Sequence, residues 1–143
     1  MTNYSDKNIK GLNPGSVYAI YKDSSGRLWF GTQTGILYYD IFSNSFVTIA
    51  DLGYNSSITD ITEAANHPIW FASQGKGLIS YDLKTSTLKF HSNDQTGLPQ
   101  SIVCLCSNQG KLRIGTGGYG LYTYNPADHS FTRHPDPLFR THT

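Results

Sequence analysis

The chain has one glutamate, Glu63, one methionine and two cysteines. Charged residues make up only 15% of it. Long helices draw on Ala, Glu, Lys and Leu, so this shortage argues against a helical architecture. The net charge is +1. That is no basic footprint for nucleic acid and no polybasic surface for a membrane, so neither a nucleic-acid partner nor membrane contact by this segment is expected. No apolar run approaches the roughly 20 residues of a spanning helix. Residues 1–10 are polar and lack the apolar centre of a secretory signal peptide. Cys104 and Cys106 lie two apart in an apolar stretch. Their spacing on one strand is poor disulfide geometry, and Cys-x-Cys without a further Cys or His is a poor zinc pattern. They are expected to be buried structural thiols, with no metal and no cofactor.

What is abundant is aromatic residues, at 13%, and Gly, at 14 residues. With Thr and Ile, these suit short strands joined by tight turns. Three segments share one register. Ser16-Val17, Ile20, Leu28-Trp29-Phe30-Gly31-Thr32, Gly35, Tyr39-Asp40 and Phe46 form the first. Ser57-Ile58, Ile61, Ile69-Trp70-Phe71-Ala72-Ser73, Gly77, Tyr81-Asp82 and Leu88 form the second. Ser101-Ile102, Leu105, Leu112-Arg113-Ile114-Gly115-Thr116, Gly120, Tyr124-Asn125 and Phe131 form the third. Tyr39 to Tyr81 is 42 residues and Tyr81 to Tyr124 is 43.

Each unit reads as four short strands. A Val/Ile strand leads through a polar turn to the Leu-Trp-Phe strand. A Gly-bearing loop leads to the strand ending in Tyr-Asp or Tyr-Asn, and a second turn to the strand around Phe46, Leu88 or Phe131. A period of about 40–50 residues with four strands per unit is a β-propeller pattern. The predicted fold is therefore all-β, with three four-stranded antiparallel blades. In the first strand the apolar residues are three apart, as in Val17 and Ile20. Strict alternation places such a pair on opposite faces, so both faces are expected to be buried. Tyr4 precedes Gly11-Leu12 by seven, as Phe90 precedes Gly97-Leu98. Residues 1–10 are thus assigned to the end of a preceding blade, 11–50, 51–93 and 94–139 to blades one to three, and 140–143 to a tail.

The run Gly11-Leu12, Ser16-Val17, Asp23, Gly26, Leu28-Trp29-Phe30-Gly31-Thr32, Gly35-Ile36-Leu37 and Tyr39-Asp40 resembles the two-component regulator propeller repeat. The resemblance extends from Tyr4 to about His134. The third unit departs from it, with Arg113 in place of Trp and Asn125 in place of Asp. Such repeats fill the extracytoplasmic sensor region of hybrid two-component histidine kinases, above all in Bacteroides-type bacteria. The resemblance implies a periplasmic sensor segment, with oligosaccharide as ligand. Three blades do not close a ring, which needs about 4–8. The open ends are expected to meet either a second copy, making a dimer of half-rings, or the remaining blades of a longer sensor.

The recurring Trp29, Trp70, Tyr39, Tyr81 and Tyr124 are expected in the core, between blades. Asp40 and Asp82 precede turns, where carboxylates accept backbone N–H groups. With one Glu, and Asp at repeat or turn positions, no paired carboxylates for glycoside hydrolysis stand out. His91 and His134 are nine residues after Asp82 and Asn125, which again reads as structural. No phosphate loop or nucleophile elbow is present. Ligand-binding residues are better sought where the repeats differ. Strand counting puts the loop leading into each blade and the loop between its second and third strands on one face. There the candidates are Asn13, Gln33, Thr34, Asn55, Gln74, Lys76, Gln100 and Tyr119, side chains suited to hydroxyl-rich ligands. Arg113 joins them because it breaks the Trp register. Two other functions fit the same pattern: a protein–protein interaction propeller and a metal-dependent propeller lyase. The sequence itself favours a non-enzymatic role.

Overall fold

A computed structural model describes residues 15–64, 68–108 and 110–134. Asn13 and residues 1–10, assigned above to a preceding blade, lie outside them, as does the tail. All regular structure among the described residues is β, in twelve strands. Sheet 1 contains β1 (Val17–Lys22), β2 (Leu28–Thr32), β3 (Gly35–Asp40) and β4 (Ser45–Asp51). Sheet 2 contains β5 (Ile58–Glu63), β6 (Ile69–Ser73), β7 (Gly77–Asp82) and β8 (Thr87–Phe90). Sheet 3 contains β9 (Ile102–Asn108), β10 (Lys111–Thr116), β11 (Leu121–Asn125) and β12 (Ser130–Arg133). Each sheet is antiparallel with its strands in chain order. Neighbouring first strands lie against one another, β1 on β5 and β5 on β9. The sheets therefore stack like propeller blades and do not close into a ring.

The turns explain the recurring polar residues. Asp40, Asp82 and Asn125 each accept the N–H two residues on, from Phe42, Lys84 and Ala127. Four residues after each, Asn44, Ser86 and His129 all adopt a left-handed backbone, with φ of 55°, 55° and 60°.

Two interfaces form the core. Between sheets 1 and 2, Trp29 and Ile36 pack on Ile58, Ile61, Ile69, Phe71 and Ile79. Between sheets 2 and 3, Trp70, Ala72 and Leu78 pack on Ile102, Leu112, Ile114, Tyr122 and Tyr124, with Leu98. Trp29 is 0% and Trp70 1% exposed, and ring contacts run from Trp29 to Phe71 and Tyr81 and from Trp70 to Tyr124. Trp29, Trp70, Tyr81 and Tyr124 are thus inter-blade packing, whereas Tyr39, expected there too, packs on Phe46 of its own sheet, because Tyr38 beside it takes the face towards sheet 2. A β-carbon on Gly31 would lie 2.5 Å from Ile58 Cγ2. That approach accounts for a small residue after the aromatic strand.

The first strands correct two expectations. Pairing shifts by one residue at the same place in each, around Tyr18, Thr59 and Val103. This bulge inserts one residue into the alternation, so Ile58 and Ile61 fall on the same face, opposite Ser73 and Phe71. The three-residue spacing thus reflects a bulge; burial of both faces is found in sheet 2, whose β6 is buried throughout between its two neighbours. The bulges also link the sheets, since the Thr59 hydroxyl donates to the Val103 carbonyl at 2.9 Å. Second, Cys104 and Cys106 are free and exposed rather than buried. They occupy the positions of Asp60 and Thr62, on the face of sheet 3 turned away from sheet 2, and no described strand packs there. On sheet 1, Ile20 is likewise 64% exposed, on the side turned away from sheet 2.

Candidate functional site

One hydroxyl per blade pins the loop between the second and third strands. Thr32 Oγ1 accepts the N–H groups of Thr34 and Gly35, Ser73 Oγ accepts that of Lys76, and Thr116 Oγ1 accepts that of Tyr119. Each loop is then tied to a chain segment leading into a blade. Gln33 N–H donates to Ser16 and Gln74 N–H to Ser57, while Gly75 N–H donates to Gln100 and Gly117 N–H to Ser101. Gln74 and Ser101 also form an isolated bridge. Both loop types therefore meet on one face.

This geometry brings together most of the residues chosen from sequence. Gln33, Asn55, Gln74, Lys76, Gln100 and Tyr119 are exposed there, and Thr34 is half-buried with its carbonyl accepting the Leu52 N–H. Gln100 and Tyr119 share a shallow depression of about 400 Å³ with Gly97, Pro99, Ser101 and Tyr122. Gln100 Nε2 donates to the Ser92 carbonyl at 2.9 Å, which orients the amide.

Arg113 is not part of this group. It lies in the middle of β10, where its guanidinium donates to Thr123 Oγ1 at 2.8 Å, and Thr123 is in turn bonded to His134. The same positions in sheet 2 carry Trp70, Ser80 and His91, with Ser80 bonded to His91 at 2.8 Å. The two histidines are thus matching structural elements.

Sequence reasoning missed Tyr54. It is 88% exposed in the segment leading into sheet 2, next to Asn55. Its aromatic ring in a polar loop, with no counterpart in the other repeats, was the available signal. The loop is tightly constrained: Gly75 has φ of 152°, and a β-carbon there would lie 1.7 Å from the Asn55 carbonyl oxygen. Gly75→Ala is expected to displace this loop and lower stability by about 1–3 kcal/mol. Urea unfolding checks the loss, and displacement of the Asn55 amide resonance checks its location.

Two acidic residues tie sheets together. Glu63, the single glutamate, accepts the N–H and hydroxyl of Ser24 at 2.8 and 2.7 Å, joining sheet 2 to sheet 1. Asp60 accepts the Leu105 N–H at 2.8 Å, joining sheet 2 to sheet 3. Asp23 accepts N–H groups from Ser25 and Arg27 and the Trp29 indole. Burial raises its pKa, but the bond from the Ser25 hydroxyl, with those from the indole and the two N–H groups, outweighs it and holds the carboxyl below the ordinary range. Among the described residues, no three His, Cys, Asp or Glu side chains are grouped to hold a metal ion.

Residues 11–34 match the family described as two component regulator propeller. No curated protein matches the chain. Among solved structures, it is similar to the extracellular domain of a putative one component system from B. thetaiotaomicron, at 23% identity and a TM-score of 0.70, covering 90% of this chain and 17% of that one. A structure described as the extracellular domain of a putative hybrid two component system from the same organism matches at 24% identity and a TM-score of 0.64, covering 90% and 18%. Virginiamycin B lyase from Staphylococcus aureus matches at 14% identity and a TM-score of 0.67, covering 91% and 44%. At these identities the likeness establishes the fold. The chain spans less than a fifth of the two extracellular domains.

Proposed function

We propose that this chain, which carries a two component regulator propeller repeat, is a ligand-sensing propeller segment of an extracytoplasmic, periplasmic sensor. Its ligand is an oligosaccharide or a similarly hydroxyl-rich molecule. The observation that carries the reading is the convergence of Gln100 and Tyr119 on one depression beside the Gln74–Lys76 loop. An oriented amide and a phenol ring offer hydrogen bonds and an apolar plane, the two things a sugar ring needs. The role is recognition rather than turnover, since Asp23, Asp60 and Glu63 are committed to structural hydrogen bonds. The open flanks, with Ile20 on one and Cys104 and Cys106 on the other, are covered by further blades of a longer sensor. A second copy of this chain is the alternative cover.

A glycan array probed with the purified chain, followed by calorimetry, tests the ligand. Tyr119→Ala and Gln100→Ala are each expected to weaken binding by about ten-fold, the order expected for a hydrogen bond or stacking contact. Unchanged affinity in both variants places the site elsewhere, and no glycan binding at all removes the carbohydrate reading. A protein–protein docking role is the second reading, favoured by the shallowness of the depression and the exposure of Tyr54.

A further inference from the structure

The ends of the first-to-second strand connections in sheets 1 and 2 are closed by matching backbone bonds. Asp23 N–H donates to the Arg27 carbonyl, and Ala64 N–H donates to the Pro68 carbonyl. Asp23 and Ala64 therefore correspond, as do Arg27 and Pro68, and Trp29 and Trp70. In sheet 1 the carboxylate fills the corner of the hairpin and accepts the indole N–H of Trp29 at 2.8 Å. In sheet 2 that carboxylate is reduced to a methyl group. Trp70 is buried, and among the described residues its indole N–H has no hydrogen-bond partner. Next to it lies a cavity of about 210 Å³, walled by Ala64, Pro68, Leu112, Tyr124, Pro126 and His129. A buried donor left unsatisfied is costly, and a bound acceptor recovers that cost.

From this geometry we propose a second ligand site, at the corner between sheets 2 and 3, for a neutral ring-sized apolar molecule carrying one oxygen acceptor. Its size follows from the space: an apolar cavity of about 150 Å³ accommodates benzene, so a single ring with a carbonyl group fits. Its apolar character follows from the walls, which are proline, leucine and aromatic surfaces. Its neutrality follows from the donors. The carboxylate of Asp23 is held by the indole together with the N–H groups of Ser25 and Arg27. Pro68 stands where Arg27 does and has no N–H to give. Among the described residues the Trp70 indole N–H is the buried donor left without a partner, which one carbonyl oxygen satisfies, whereas an anion stripped of water between these apolar walls is left short of donors. The Tyr124 hydroxyl is bonded to His129 Nδ1 at 2.7 Å and not to the indole. Beyond His129 the cavity continues into a groove lined by Ser80, Asp82, Thr85, Thr87 and Lys89, a route of access. The site lies among the hairpin turns, at the opposite strand ends from the Gln100 and Tyr119 depression, so the two readings stand independently.

Two tryptophans yield two indole N–H resonances, and Trp70→Phe assigns them. Acetophenone is the probe, with α-methylstyrene as its control of like shape, CH₂ replacing the carbonyl oxygen. Acetophenone is expected to shift the Trp70 indole resonance, to leave that of Trp29 in place, and to bind about ten-fold or more tightly than α-methylstyrene. Trp70→Phe should abolish the ten-fold preference. Ala64→Leu, which narrows the cavity from another wall, should abolish binding of both probes. No movement of the Trp70 resonance up to the solubility limit overturns the proposal, as does equal affinity for the two probes or binding that survives Ala64→Leu. Glycan binding measured on Ala64→Leu should remain at the wild-type level, so failure of either site is recognisable by itself.

Discussion

Trp29→Ala is expected to destabilise the protein by about 3–5 kcal/mol, a large part of the total of about 5–15 kcal/mol that domains possess. The indole is completely buried, and its ring meets Tyr38, Phe71 and Tyr81 at centroid distances of 5.4, 5.6 and 5.7 Å. Truncation opens a cavity between sheets 1 and 2 and removes the indole donor of buried Asp23. Phenylalanine variants separate these two effects. Trp29→Phe retains most of the ring but leaves Asp23 short of a donor. Trp70→Phe removes an N–H that has no partner. Trp29→Phe should therefore be the more damaging by about 1–2 kcal/mol, measured by urea unfolding. Equal losses in the two variants would mean that the Asp23 bond contributes nothing to stability.

Acid is expected to remove roughly 2–3 kcal/mol of stability through His91. The ring is buried against Trp70 and Phe131, with centroids 4.9 and 5.9 Å away, and Nε2 bonds to the Ser80 hydroxyl. Burial, and then the nearby charge of Lys89, push its pKa from 6.5 down to about 4. The folded protein thus keeps the ring neutral where the unfolded chain takes up a proton. The contribution is complete above the unfolded pKa of 6.5 and is lost progressively as the pH falls towards the folded value of about 4. Urea unfolding at a series of pH values checks this. His91→Gln retains a hydrogen-bonding side chain but cannot titrate, so its profile should be flatter through this window. Parallel profiles for the two proteins would assign the acid sensitivity to other groups.

The strand plan was legible because its causes lie within a single repeat. Tyr-Asp or Tyr-Asn before a turn, Gly after the second strand and Trp-Phe in its middle each act over a few residues. The structure shows the same side-chain-to-backbone bonds at Asp40, Asp82 and Asn125. The candidate face was legible in the same way, since counting antiparallel strands puts two loop types at one end. Arg113 was grouped with that face only because it breaks the register. Its position in the middle of β10 separates it from the loop ends.

That the chain is a threefold repeat of four antiparallel strands follows from its sequence, because the repeat period and the turn chemistry are local. Only the tertiary structure decided which faces are covered. The bulges at Tyr18, Thr59 and Val103 moved the apolar pairs onto one face. The lack of a described neighbour beyond sheet 3 exposed Cys104 and Cys106. Ala64 in the place of Asp23 left a cavity beside an unpartnered indole. Each outcome depends on what packs against a residue from a distant part of the chain, and no local pattern carries that information.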